Sequence, residues 1–128
     1  MKQDIDWDKL SDEAWSVREN AWAEKTKVGA SLISIEGNIY SGCNIEQTYR
    51  NKDIHAEVNA ISNMISSGDK KFDAILVVAK RSRFTPCGCC MDWIFQFGGA
   101  NCIVAYQNSP TEKINRFTAN ELMPYYPH

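Results

Sequence analysis

Two short runs in the chain combine side chains that bind a metal with side chains that move protons. His55-Ala56-Glu57 sets an imidazole and a carboxylate two positions apart, and about 30 residues later Pro86-Cys87-Gly88-Cys89-Cys90 supplies thiols in a Cys-x-x-Cys frame behind a proline. One nitrogen and two sulfurs are a borderline-soft donor set that suits Zn²⁺, and three protein ligands leave the fourth tetrahedral position to water, the mark of a catalytic rather than a structural site. His55, Cys87 and Cys90 are therefore the expected metal ligands. Zinc lowers the pKa of bound water to roughly 7, and Glu57, too close to His55 on the same turn to serve as a further ligand, is placed to act as acid and base. Taken alone, a Cys-x-x-Cys pair also suits a redox centre or half a zinc knuckle. Cys89 competes with Cys90, but residues three apart at a helix start converge on one metal more readily than residues two apart. A structural zinc would need a fourth protein ligand, for which only Cys89 and His128 are spare.

The elements that must position these residues follow from periodicity. Val58, Ile61 and Ile65 recur at helical spacing, so His55 opens a helix that runs to about residue 65 and is stopped at Gly68. Residues 72–78 form a continuous apolar run with β-branched Ile75, Val77 and Val78, the pattern of a strand buried on both faces. Cys87 then opens a second helix with Met91, Trp93, Ile94, Phe95 and Phe97 inside it, ended by Gly98-Gly99, and residues 101–106 form another buried strand. Upstream, residues 8–24 read as a helix with a stripe of Leu10, Ala14, Val17, Ala21 and Trp22, and Trp7, Trp15 and Trp22 are expected in the core. Residues 28–35 and 38–43 form a hairpin about Glu36-Gly37-Asn38. Gly29 and Gly42 inside these strands predict a bulge or close backbone approach. Residues 44–53 are a polar loop leading into the His55 helix, a natural place for substrate contacts. At the C-terminal end, residues 114–117 suit an edge strand and Thr118-Ala-Asn-Glu121 a capping box. Strands alternating with helices predict an α/β fold, three layers α/β/α about a central mixed sheet of about five strands. Ligands in such sheets bind at the carboxyl ends of the strands. Helix N-termini there favour the thiolates that zinc requires.

The 128 residues suit a single domain, 1–128, with a formal charge of −2 and no basic stripe that would draw in a polynucleotide. Lys80, Arg81 and Arg83 form the tight basic cluster, read as a solvated loop. The charged start, Met1-Lys2-Gln3-Asp4, and the lack of any run of roughly 20 apolar residues predict a cytoplasmic protein with no membrane contact. An odd count of five cysteines argues for metal ligands and reduced thiols over disulfides, with Cys43 and Cys102 as small buried hydrophobes.

His-x-Glu followed by Pro-Cys-x-x-Cys matches the signature of the zinc deaminases. Across most of its length the chain resembles the small, single-domain, homotetrameric cytidine deaminases. Val28-Gly-Ala-Ser-Leu matches the first strand of that family, Gly42-Cys-Asn-Ile-Glu46 its Asn-x-Glu segment, His55-Ala-Glu57 and Pro86-Cys-Gly-x-Cys90 its zinc motifs, and Glu121-Leu-Met-Pro124 its C-terminal motif. The resemblance implies hydrolytic deamination of a free cytosine nucleoside in pyrimidine salvage, with Zn²⁺ as cofactor and a homotetramer as the assembly. It also implies that Asn44 and Glu46 hold the ribose 3′-hydroxyl, and that Ala56 and Cys87 contact the substrate as well. The chain departs from the family pattern at His55, where Cys is usual, and at Val58, where Arg follows the catalytic Glu; with two thiolates instead of three, less positive charge is needed. Thr26, Met91-Asp92 and the Tyr125-Tyr126 tail differ from the family as well and bear on the nucleoside pocket. A modified cytosine nucleoside such as blasticidin S is accordingly the alternative substrate, followed by free cytosine or another small aminated heterocycle.

Overall fold

The computed structural model describes residues 3–127. Its elements in chain order are α1 (Trp7–Arg18), β1 (Gly29–Ser34), β2 (Ile39–Cys43), α2 (Ala56–Ser66), β3 (Phe72–Val78), α3 (Gly88–Gly98), β4 (Ile103–Gln107), β5 (Asn115–Thr118) and α4 (Ala119–Leu122). The five strands form one sheet in the order β2-β1-β3-β4-β5. Only β3 and β4 pair in parallel; the β1–β2, β1–β3 and β4–β5 pairs are antiparallel. The sheet is mixed, as the alternation of strands and helices predicted. Both faces are covered, which gives the three layers. One side of the sheet packs α2 and α3 through Ala60, Ile61, Met64, Met91 and Ile94 onto Leu32, Ile75, Val77 and Val104. On the other side Leu10 and Ala14 of α1 lie on Ile33, Ala74, Leu76, Val78 and Ala105. Consecutive residues of β3 thus feed two different cores, which is why its sequence shows no polar alternation.

Gly29 and Gly42 are close-approach positions. A Cβ on Gly29 would collide with the carbonyl oxygen of Ala14, and one on Gly42 would lie 2.5 Å from the backbone nitrogen of Ala60. Without side chains there, α1 sits directly on β1 and α2 directly on β2.

The first helix is shorter than its apolar stripe predicts. Asp6 caps it, its carboxylate accepting from the Lys9 N–H at 3.1 Å, and it ends at Arg18 instead of residue 24. The backbone of Trp22 is taken by residues 44–46: its N–H donates to Asn44 O at 3.1 Å and its carbonyl accepts from the Glu46 N–H at 2.7 Å. Trp22 is consequently 74% exposed instead of belonging to the core. Trp7 and Trp15 do pack against the α1 side of the sheet, and Cys43 and Cys102 are buried, as expected. The C-terminal capping box is present in full, with Thr118 and Glu121 each bonding the other's backbone N–H.

Candidate active site

The strands β2 and β3 run in the same direction on either side of β1, so the segments that follow them leave from one edge of the sheet. Each segment ends in a helix whose cap residue is a predicted ligand. His55 is the N-cap of α2 and Cys87 the N-cap of α3, and neither side chain caps its own helix. Cap positions ordinarily carry Ser, Thr, Asp or Asn, whose oxygen satisfies a first-turn N–H at a gain of about 1 kcal/mol. Here both side chains turn toward each other instead. The His55 Nδ1 lies 3.2 Å from Cys90 Sγ and 3.4 Å from Cys87 Sγ. Cys90 is the third residue of α3, and cap and third residue face each other at a helix start. Cys89, between them, is exposed and stands outside the group. The geometry thus groups Cys90, and not Cys89, with His55 and Cys87.

All three ligand atoms fall within 4.8 Å of one another, the candidate metal cluster among the described residues. A tetrahedral zinc with Zn–S of about 2.3 Å and Zn–N of about 2.0 Å sets N···S at roughly 3.6 Å. The observed separations are close to this, so the residues fit zinc. His128, the other spare ligand, lies outside the described residues.

Glu57, second residue of α2, is only 4% exposed. Burial pushes its carboxyl above the ordinary glutamate range; its own backbone N–H, the nearby His55 and a hydrogen bond to Cys90 oppose that shift. Burial likewise pushes the Cys90 thiol up, with further contributions from the Glu57 carboxylate and Cys87. Those shifts describe the metal-free pair; a dication beside it favours both charged forms.

Above this floor opens a cavity of about 510 Å³, within the roughly 300–1,000 Å³ of small-molecule sites. All of the predicted contact residues, Asn44, Glu46, Ala56 and Cys87, line it together with His55 and Glu57. Asn44 and Glu46 also have structural work. The Asn44 amide accepts from the Val28 N–H at 2.9 Å and donates to the Thr26 carbonyl at 2.9 Å, pinning the segment before β1. Glu46 accepts from the Glu24 N–H at 2.9 Å and stands 3.6 Å from the Arg50 guanidinium, which also bonds Asp53 at 2.8 Å. Each amide or carboxylate still has hydrogen-bonding capacity left for a ligand.

Of the residues that depart from the family pattern, Thr26 lines the cavity. Met91 is instead buried in the core, and Asp92 accepts from the Tyr126 hydroxyl at 2.7 Å, away from the cavity wall. Sequence reasoning missed Arg81, Phe84 and Thr85, which also line the cavity. Arg81, read as part of a solvated loop, is solvent-exposed but faces the site. Its place one turn of loop ahead of Pro86-Cys87 was the available signal.

A three-ligand N/S metal site with a buried carboxylate beside it, at the carboxyl edge of a mixed sheet, defines a zinc-dependent hydrolase of the deaminase type. Residues 5–106 match the model of the cytidine and deoxycytidylate deaminase zinc-binding region, and the chain belongs to that family. It is similar to the cytidine deaminase of Sporosarcina psychrophila, 34% identical over 123 residues, covering 94% of this chain and 90% of the relative. A blasticidin-S deaminase of Bacillus cereus is 31% identical over 109 residues, covering 78% of this chain and 76% of the relative. The crystal structure of the cytidine deaminase from Burkholderia pseudomallei superposes with a TM-score of 0.85 at 26% identity, covering 94% and 98% of the two chains.

Proposed function

We propose that the chain hydrolyses the exocyclic amine of a free cytosine nucleoside, cytidine or deoxycytidine, to the uridine counterpart and ammonia. The observation that carries this reading is the convergence of His55 Nδ1, Cys87 Sγ and Cys90 Sγ beside a carboxylate that is nearly withdrawn from water. When bound by these three residues, zinc supplies Lewis acidity at neutral pH. Everything else falls to the chain. Glu57 takes one proton from the attacking water and delivers it to the cytosine ring nitrogen, where it stays, and then carries the proton of the added hydroxyl to the departing amine, so that an amidine carbon and water become a carbonyl and ammonia. Burial opposes the charged form of this carboxyl while a neighbouring dication favours it, and these opposed influences suit it to both taking and giving a proton. Ala56, fully buried between His55 and Glu57, lines the same cavity. Asn44 and Glu46 offer the sugar a donor and acceptors from the opposite loop.

The similarity to a blasticidin-S deaminase supports a modified cytosine nucleoside as the second reading. Trp22, Ile45 and Ile54, exposed yet linked by backbone pairing into one row, support assembly into a homotetramer, since contiguous apolar surface marks protein contact. No described helix is long and apolar enough to cross a membrane. None of the five cysteines forms a disulfide among the described residues, which supports a reducing, cytoplasmic setting.

Glu57→Gln tests the chemistry. It retains the shape and the zinc content but cannot exchange the proton, so ammonia release from cytidine falls by about 10²–10⁴. Undiminished turnover removes Glu57 from the reaction.

A further inference from the structure

Resting on the nucleoside reading above, we infer that Arg81 is a specificity-determining residue that binds an anionic substituent, phosphate or carboxylate, on the part of the substrate farthest from the reacting amine. The cavity has three long cationic side chains in its wall, Lys25, Arg50 and Arg81. Arg50 is already committed to Asp53 and Glu46. Arg81 has no carboxylate within ion-pair distance among the described residues. It is nevertheless not a loose surface side chain, because its guanidinium lies 5.8 Å from the centroid of the Phe84 ring. Phe84 itself is half-buried and packs against the main core. The intervening loop is drawn tight: Arg83 adopts a positive φ of 52°, and the Thr85 N–H donates to the Arg83 carbonyl at 3.1 Å. A non-glycine residue in that region marks a turn that the surroundings impose.

Depth in the cavity assigns what Arg81 meets. The reacting amine must reach the floor, where Glu57 is 4% exposed. Arg81 is exposed at the mouth, so it faces the opposite end of a bound nucleoside. A guanidinium offers a planar fork of donors that matches the two oxygens of a phosphate or carboxylate, and a stacking face keeps that fork oriented. The cavity's carboxylates Glu24 and Glu46 come from other segments, and Glu46 is partly offset by Arg50. Lys25 also lacks an acidic partner among the described residues, but nothing described holds it in place.

The test compares cytidine, cytidine 5′-monophosphate and the 5′-carboxylate of cytidine on zinc-replete protein, for the wild type and for Arg81→Ala and Arg81→Lys. One of the anionic substrates should exceed cytidine in kcat/KM, and whichever it is identifies the anion. Arg81→Ala should lower the anionic-to-neutral ratio about tenfold, between the weight of an exposed ion pair and that of a charge-assisted hydrogen bond, with the loss in KM. Arg81→Lys should restore part of it, and added salt should erode the wild-type preference. An unchanged ratio in Arg81→Ala overturns the inference. Calorimetric binding of uridine 5′-monophosphate against uridine reads the same preference without turnover. Absence of ammonia from every substrate would therefore sink the deaminase reading while leaving Arg81 tested separately.

Discussion

Asn44 is the residue whose substitution separates architecture from recognition. Its amide spans the two ends of the segment before β1, accepting from Val28 N–H and donating to Thr26 O, both at 2.9 Å. Val28 is 6% exposed, so its N–H has no access to bulk water once the amide oxygen is removed. Asn44→Ala loses two hydrogen bonds at roughly 1 kcal/mol each, and the half-buried Thr26 carbonyl recovers part of its loss from water while the Val28 N–H does not. The expected destabilisation is about 2 kcal/mol. For a domain of this size that corresponds to a fall of roughly 6–10 °C in Tm. Urea unfolding at fixed protein and zinc concentration measures it, because bound metal and assembly both shift apparent stability. Asn44→Asp keeps the acceptor for Val28 but sets a carboxylate against the Thr26 carbonyl, so it should fall between wild type and Asn44→Ala. If Asn44→Ala unfolds at the wild-type midpoint while kcat/KM for cytidine drops, the clamp contributes nothing and the residue serves the substrate alone. A loss of stability with unchanged kcat/KM removes it from the sugar site.

Two further expectations follow from the same geometry. Cys90→Ser should abolish stoichiometric zinc by metal analysis whereas Cys89→Ser should retain it, because Cys90, unlike Cys89, is grouped with His55 and Cys87; zinc lost from Cys89→Ser would overturn the ligand assignment. Asp69 accepts from Asn38, Ser34 and Tyr40, at 3.0, 2.8 and 2.9 Å, and these bonds hold its carboxyl below the usual range in the folded state. A depressed folded pKa adds stability above the unfolded value that disappears as the pH falls through the folded one. The stability gap between wild type and Asp69→Asn should thus be widest at neutral pH and narrow in acid, and a gap independent of pH would show that the charge is immaterial.

How far the sequence carried these conclusions depended on the range of the forces involved. Residues 72–78 were legible as a strand because burial on both faces removes polar alternation, and β3 spans those residues. The helix starts at His55 and Cys87 were legible because the ligand spacing and the apolar periodicity coincide there. The end of α1 was not. Its stripe continues through Ala21 and Trp22, and what stops the helix is a pairing with residues 44–46, more than twenty positions away, which local periodicity does not encode. Arg81 is exposed on a loop as read, but its place at the cavity wall was not legible, for a related reason. A short run of basic residues reads as solvated surface, and only the turn at Arg83 and the Phe84 face bring this one to the cavity. The family resemblance pointed to Asn44, which lines the cavity, but its clamp was not legible, since its partners at 26 and 28 belong to another segment.

The placement of ligands at helix caps links fold to function most directly. A cap residue has extended backbone, ψ of 154° at His55 and 171° at Cys87, so its side chain leaves the helix axis instead of lying along it. Two such caps at the same sheet edge therefore project toward one point without any long-range distortion. The first-turn N–H groups of both helices meanwhile carry partial positive charge toward the thiol positions and favour thiolate, which burial of Cys90 opposes. Forgoing two side-chain caps costs about 1 kcal/mol each, a small sum beside the roughly 10–16 kcal/mol apparent for structural zinc sites. The fold thus gives up local stability at the positions where metal binding can return it, and the same geometry leaves Glu57 on the buried face, one residue beyond Ala56, where its proton is withheld from solvent.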